Sequence, residues 1–214
     1  MTSRRFDSAR FATSVADLAA LNAAPLAMAP EVAFVGRSNA GKSSTINALT
    51  RRRLAYAAKT PGRTQLLNFF ALTAHDGAGR ESTRGYLVDL PGYGFAKVDA
   101  ATRARWDRLV GGYLHTRRML RGVVLVMDAR HPLKPADEEL LGWLAARPDA
   151  QSLRVHVLLN KVDQLRRMQR AAACARVERR AADLPMPVSV QLFSASTREG
   201  LEELHAAIDE MLGR

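Results

Sequence analysis

The chain has 214 residues, which is enough for one well-buried domain and short for two. Hydrophobic residues make up 47% of the chain, but no apolar run approaches the roughly 18 residues that cross a bilayer, so we expect no membrane span. The formal net charge of +11 favours a nucleic-acid partner. A compositional preference for Arg over Lys would not by itself produce this charge, which comes from an excess of basic residues, 32 against 21 acidic ones.

The N-terminal residues 1–29 form a lead-in segment before a predicted domain at 30–214. The segment has an Arg-bearing composition shared with organellar transit peptides, but it contains aspartates and no secretory hydrophobic core. We expect it to pack on the domain, with an organellar address as the alternative. Cys174 is the only cysteine, which excludes an intrachain disulfide and favours the reducing cytoplasm. We expect a monomer.

Short aliphatic runs alternate with longer amphipathic, Ala-rich runs along the chain. The short runs are six predicted strands, at 32–35, 66–72, 85–89, 123–128, 155–160 and 188–193. Helices are predicted to begin near Gly41, Thr102, Pro135, Leu165 and Arg198. This alternation is typical of an α/β fold with a mostly parallel six-stranded sheet and helices on both faces.

Two further segments have distinct patterns. The polar run 75–84 predicts a hairpin loop between the second and third strands. In 101–118 the apolar residues recur at helical spacing while most arginines fall between them, which predicts an amphipathic helix with a basic outer face.

A glycine-rich segment follows the first predicted strand and opens the first predicted helix. It matches the pattern G-x-x-x-x-G-K-[ST], in which backbone N–H groups and a helix N-terminus surround phosphates. Lys42 is predicted to span the β and γ phosphates and the Ser43 hydroxyl to bind Mg²⁺. The loop predicts a nucleoside triphosphate site without naming the base. Its predicted nucleotide contacts are Gly36, Arg37, Ser38, Asn39, Ala40, Gly41, Lys42, Ser43 and Ser44.

A second motif ends the third predicted strand. Its residues are Asp89, Leu90, Pro91 and Gly92. Asp89 is predicted to hold Mg²⁺ through a water molecule, and the Gly92 N–H to bind the γ phosphate. The alternative is an ordinary turn at the end of a strand. The position of the motif after a phosphate-binding loop argues against that alternative.

The base is indicated by a motif that ends the fifth predicted strand, namely Asn160, Lys161, Val162 and Asp163. A carboxylate at Asp163 accepts from both N1–H and N2–H₂ of guanine, whereas adenine offers neither donor. Asn160 is expected to brace the phosphate loop. The predicted nucleotide contacts after the last strand are Phe193, Ser194 and Ala195, and backbone N–H groups of the stretch Ser194, Ala195 and Ser196 are expected to meet guanine O6.

A turn-forming stretch at 59–65 lies where a mobile loop is expected. It contains the predicted nucleotide contacts Gly62, Arg63 and Thr64. Thr64 is predicted to close on Mg²⁺ and the γ phosphate only with GTP bound, which gives an order–disorder switch. An ordinary loop threonine is the alternative. Arg63 is a candidate for electrostatic help in catalysis.

These motifs together resemble the EngB/YihA/YsxC family of bacterial ribosome-biogenesis GTPases, within the TrmE-Era-EngA-YihA-Septin-like superfamily. The resemblance is carried by the phrases at 30–44, 60–65, 88–94 and 128–133. It implies a Ras-like G domain, GTP/GDP and Mg²⁺ as ligands, and GTP hydrolysis during late assembly of the large ribosomal subunit. It also implies rRNA and protein of the large-subunit precursor as partners, and a requirement in cell division and septation through that role. Relatives often carry Thr in place of Asn160, so this chain has the form common to GTPases at large.

One position bears on catalysis. Ras-type enzymes orient the attacking water with a Gln after Gly92, but this chain has Tyr93 there, so we expect slow intrinsic hydrolysis. In related GTPases without that Gln, an Asn placed like Asn39 binds K⁺, so Asn39 is a candidate K⁺ ligand. The alternative is that its side chain only caps the local turn. The expected catalytic residues are Lys42, Thr64, Gly92 and Asn39.

Two other readings of the chain remain open. One is an RNA- or ribosome-binding module whose guanine nucleotide is largely structural, which a turnover measurement would distinguish from a GTPase. The other is a small-molecule kinase, which is disfavoured because kinases do not need the guanine motif.

Overall fold

A seven-stranded sheet runs through the centre of the molecule in the order β1-β3-β4-β2-β5-β6-β7. The computed structural model describes residues 6–55, 66–75, 77, 79–94 and 100–213. The strands are β1 Arg10–Val15, β2 Glu31–Gly36, β3 Leu67–His75, β4 Glu81–Asp89, β5 Leu120–Asp128, β6 Arg154–Asn160 and β7 Val188–Leu192. The five strands from β4 to β7 are parallel, while β3 is antiparallel to both β4 and β1.

Helices cover both faces of this sheet. They are α1 Leu18–Ala23, α2 Lys42–Thr50, α3 Ala100–Trp106, α4 Gly112–Thr116, α5 Pro135–Ala145, α6 Arg167–Ala181 and α7 Leu201–Met211. A π-helical turn, Asp107–Gly111, joins α3 to α4. Within the described residues no helix is both long and apolar enough to cross a bilayer.

The central strands are buried on both sides, and this explains why they read as continuous aliphatic runs. Along β2, Ala33 and Val35 enter one apolar core while Val32 and Phe34 enter the other. The first core receives α1, α5, α6 and the 100–116 helices, and the second receives α2 and α7. A parallel sheet needs such cover on both faces. The predicted α/β architecture with a mostly parallel sheet is therefore confirmed.

The predicted count of six strands is wrong, because residues 10–15 of the lead-in segment add a seventh. In β1 only Val15 is buried, so the strand has no apolar alternation and depends on pairing with β3.

The prediction of a hairpin loop at 75–84 is also wrong in extent. Strands β3 and β4 pair out to His75 opposite Glu81, as a polar ribbon that no hydrophobic pattern marks. The helical prediction for 101–118 is confirmed, with the π-helical turn added and the end at Thr116.

Candidate nucleotide-binding site

The predicted nucleotide residues lie at the edge of the sheet where β2, β4, β5 and β6 end. The P-loop, residues 36–43, follows β2 and leads into α2 at Lys42. Gly41 has φ +101°, and a Cβ added there would lie 2.0 Å from Nδ2 of Asn160. Glycine is therefore required at 41 for two reasons, since it allows the left-handed backbone and leaves room for the Asn160 amide.

Asn160 joins two loops of the site. Its Nδ2 donates to the carbonyl oxygen of Ala40 at 2.8 Å, and its Oδ1 accepts the N–H of Ala195 at 3.1 Å. The residue is 2% exposed, so these bonds are shielded from water. One side chain thus ties the P-loop to the segment at 193–195.

Lys161 makes a second link to the P-loop. It has φ +71°, and its Nζ donates to the carbonyl oxygen of Asn39 at 2.5 Å and to Oδ2 of Asp128 at 2.9 Å. Arg130 binds the same carboxylate through Nε at 2.8 Å and Nη2 at 2.6 Å. Burial alone would raise the pKa of Asp128, but the hydrogen bonds from Arg130 and Lys161 hold it well below its usual value.

Asp128 therefore belongs to the site, although it is not among the nucleotide contacts predicted from the sequence. It ends β5 with 7% exposure, beside Asn160 in the strand register. A carboxylate at the end of a buried parallel strand was the available signal, because such strand ends meet at a shared edge.

The carboxylate of Asp163 is exposed at the rim of the site. The hydroxyl of buried Ser194 donates to its Oδ1 at 2.6 Å, which orients the group. The N–H of Ser194 donates to the carbonyl oxygen of Glu199 at 3.1 Å, and that of Ala195 donates to Oδ1 of Asn160 at 3.1 Å. The N–H groups of Ser194 and Ala195 therefore both have partners inside the protein.

Lys42 and Asp89 are paired with each other. Their side chains are only 11% and 8% exposed, and Nζ of Lys42 bonds Oδ1 of Asp89. Phosphates on the P-loop would compete with Asp89 for the ammonium group. Ser43 and Asp89 offer hydroxyl and carboxylate oxygens, the donor type that Mg²⁺ prefers, so this donor set fits the metal. The third predicted ligand, Thr64, lies outside the described residues, as do Gly62 and Arg63.

Several predicted contact residues serve as internal supports of the site. Leu90, Val162 and Phe193 are at most 1% exposed and hold their motifs by packing. The carbonyl oxygen of Pro91 accepts from the Trp106 indole at 3.0 Å.

The side chains of Arg37 and Tyr93 bond to residues outside the nucleotide motifs. The guanidinium of Arg37 donates to the carbonyl oxygen of His131 at 3.1 Å. The hydroxyl of Tyr93 donates to Asp137, at the start of α5, at 2.7 Å. Tyr93 therefore does not replace the catalytic Gln in this arrangement. The Asn39 side chain is exposed on a left-handed backbone with φ +63°.

Comparison with known sequences identifies the family. The probable GTP-binding protein EngB of Thiobacillus denitrificans is 50% identical over 205 residues, covering 95% of this chain and 91% of that protein. The chain belongs to the EngB family. EngB proteins of Laribacter hongkongensis and Neisseria meningitidis are 49% and 43% identical, over 83% and 97% of this chain and 75% and 92% of theirs. The sequence profile described as "50S ribosome-binding GTPase" matches residues 31–161.

Solved structures support the fold of this EngB member. A crystal structure of a probable GTP-binding protein EngB superposes with a TM-score of 0.61 at 22% identity, covering 86% of this chain and 98% of that one. Era of Aquifex aeolicus gives 0.63 at 20% identity, covering 85% of this chain and 56% of Era. Both comparisons bear on the fold alone, which is the Ras-like P-loop GTPase fold. Membership of the family makes this chain a GTP-binding protein and a GTPase.

Proposed function

We propose that this protein is a GTP-dependent switch in assembly of the large ribosomal subunit. GTP would order the loops around Thr64 and Gly92, the ordered surface would bind a precursor of rRNA and protein, and hydrolysis to GDP would release it. Normal cell division and septation would depend on the protein through that role, and it would act as a monomer in the cytoplasm.

The single observation that carries the proposal is the meeting of four motifs at one edge of the sheet. The P-loop, the motif at Asp89, the guanine motif and the segment at 193–195 follow four different strands. Asn160 and Lys161 bond directly to the P-loop, and Asn160 also bonds the segment at 193–195. Family membership and the net charge of +11 support ribosomal RNA as the partner. Era, which shares the fold, has been crystallised with MgGDPNP and a segment of 16S ribosomal RNA.

Each residue has a proposed task in binding and hydrolysis. The P-loop N–H groups and Lys42 bind the phosphates, Gly92 donates its N–H to the γ phosphate, and Asp163 accepts from the guanine edge. Ser43, Asp89 through water, and Thr64 would hold Mg²⁺, which when bound neutralises charge on the β and γ phosphates.

A monovalent cation would stabilise the transition state of hydrolysis in a protein that lacks the catalytic Gln. We propose Asn39 as a ligand for K⁺, next to the charge that grows between the β and γ phosphates. Intrinsic hydrolysis would then be slow and stimulated by K⁺. The exposed Asn39 side chain at the rim of the P-loop supports this assignment.

Binding to purified ribosomal subunits tests the switch. The protein should bind large-subunit particles more tightly with a non-hydrolysable GTP analogue than with GDP. The affinity should fall steeply between 50 and 200 mM salt, because contacts with RNA phosphates release counterions. Small subunits serve as the control, and equal binding in both nucleotide states would contradict the proposal.

The alternative is an RNA- or ribosome-binding module with a structural nucleotide. The high positive charge of the protein favours this alternative. A turnover measurement with and without large subunits separates the two, since a binding module would hold GTP without releasing phosphate.

A further inference from the structure

A buried carboxylate joins the P-loop to α5 through the residue that follows Gly92. Tyr93 is 6% exposed and donates its hydroxyl to Oδ1 of Asp137 at 2.7 Å. Asp137 is fully buried, and its Oδ2 accepts the backbone N–H of Lys134 at 2.9 Å. Nε of Arg37 lies 3.3 Å from the same oxygen. One side chain thus holds the P-loop, the segment after Gly92 and the start of α5.

The backbone of Tyr93 is clamped to the P-loop as well. Its carbonyl oxygen accepts the N–H of Ser38 at 2.9 Å, and its N–H donates to the carbonyl oxygen of Gly36 at 3.4 Å. A Cβ added at Gly92 would lie only 3.4 Å from that Gly36 oxygen. The position of the Gly92 N–H relative to the P-loop therefore depends on where Tyr93 is held.

The Tyr93 hydroxyl is a permanent donor to this cluster. Burial raises its pKa far above the usual value, and the charge of Asp137 acts in the same direction. Arg37 is held less well, because its buried Nε has no well-aligned hydrogen bond. The bond from Tyr93 to Asp137 is thus a well-formed side-chain hydrogen bond on the residue that follows Gly92.

We infer that Asp137 is a positioning residue for nucleotide discrimination. By holding Tyr93 and Arg37, it keeps the Gly92 N–H where the γ phosphate of GTP can accept from it. Asp137 lies outside the nucleotide motifs and acts through Tyr93, without touching the nucleotide. The inference rests on the proposed function, because it concerns how the proposed site binds the γ phosphate that distinguishes GTP from GDP. GDP has no γ phosphate, so its binding should not depend on this contact.

The chain contains a matched control at the opposite end of β2. The hydroxyl of Tyr113 donates to Oε2 of Glu31 at 2.9 Å, and Arg117 binds the same carboxylate with Nε at 2.9 Å from Oε1. Tyr113 and Glu31 are both fully buried. The two clusters have the same chemistry, a tyrosine, a carboxylate and an arginine, but only that of Asp137 reaches the P-loop.

The experiment compares Tyr93→Phe with Tyr113→Phe. Each substitution removes one hydroxyl and keeps the ring, so both proteins should fold with comparable loss of thermal stability. Affinities for GDP and for a non-hydrolysable GTP analogue are measured by titration with fluorescent nucleotides. Tyr93→Phe should weaken binding of the analogue by about fivefold to tenfold, as expected for one lost hydrogen bond, and leave GDP within twofold. Tyr113→Phe should change neither.

A second pair of variants, Asp137→Asn and Glu31→Gln, tests the carboxylates themselves. Asp137→Asn places an N–H₂ group against the donors of Lys134 and Arg37, so it should reduce the preference for the analogue at least as much as Tyr93→Phe. Glu31→Gln should leave that preference unchanged.

An unchanged ratio in both Tyr93→Phe and Asp137→Asn would overturn the inference, and so would an equal change in the control variants. A wild-type protein that binds neither nucleotide would instead overturn the proposed function, which separates the two failures.

Discussion

Asn160→Ala should weaken binding of GDP and of a GTP analogue equally. In the folded protein the Asn160 amide satisfies the Ala40 carbonyl and the Ala195 N–H, at 2.8 and 3.1 Å. Alanine can bond neither group. The P-loop and the base loop would then lose the side chain that keeps them in register.

The magnitude follows from the burial of the site. Asn160 is 2% exposed, so the two backbone groups would be left in a place that water reaches poorly. Each unsatisfied buried group costs about 1 to 3 kcal/mol, and partial entry of water favours the lower part of that range. The total of about 2 to 4 kcal/mol is a loss of stability of the folded protein with the two loops in register. Because binding of either nucleotide needs that register, a free variant whose loops relax must recover this energy on binding, and the upper limit for the increase in Kd is about 30-fold to about 700-fold.

Isothermal titration with GDP and with the analogue measures this loss, and thermal melting measures the accompanying change in stability. Asn47→Ala is the control. Asn47 also bonds backbone groups with both ends of its amide, to the Ala55 carbonyl at 2.8 Å and the Leu54 N–H at 2.9 Å, but it lies on α2 away from the base loop. It should lower stability and leave both affinities within about threefold.

A GDP affinity of Asn160→Ala within threefold of wild type would refute the reasoning, because the amide would then not be what holds the two loops. A loss confined to the GTP analogue would also refute it, since Asn160 has no special relation to the γ phosphate.

Four further outcomes are expected. Asp163→Asn should shift the preference from GTP toward XTP by a few kcal/mol, because the amide donates to the C2 oxygen of xanthine. Competition binding that still favours GTP would reject the base assignment. Lys42→Ala should abolish most triphosphate binding and lower the melting temperature, because it leaves the 8% exposed Asp89 carboxylate without its cation; retained binding would place the nucleotide elsewhere. Hydrolysis should be faster in K⁺ than in Na⁺ at equal ionic strength, and Asn39→Gly, which keeps the left-handed backbone, should lose the difference; equal wild-type rates would exclude this role for Asn39. Burial lowers the pKa of His156, so folding favours its neutral form. Its stabilising contribution is complete above the unfolded pKa of about 6.5 and is lost as pH falls below that value. Urea unfolding at pH 7.5 and 5.5 should therefore show a smaller loss of stability in His156→Gln than in wild type.

Local patterns in the sequence were sufficient to predict the central part of the fold. The predicted strands at 123–128 and 155–160 agree with β5 and β6 because both are buried on two faces and are therefore mostly aliphatic. The start of α2 was predictable to within one residue, because a P-loop requires a helix N-terminus immediately after its second glycine. Strand β1 was not predictable, since its exposed residues are held by backbone pairing with β3.

The family, the nucleotide motifs and their order could all be predicted from the residues alone, because backbone cradles and guanine recognition require specific residues at specific spacings. The roles of the remaining residues of the site depend on contacts between distant parts of the folded chain. Asp128 became part of it through the parallel register of β5 and β6, which places its carboxylate beside Lys161. Tyr93 stands at the position of a catalytic Gln, yet it donates its hydroxyl to Asp137, 44 residues away. A hydrogen bond between two buried groups depends on how distant elements pack, and no local pattern records that packing.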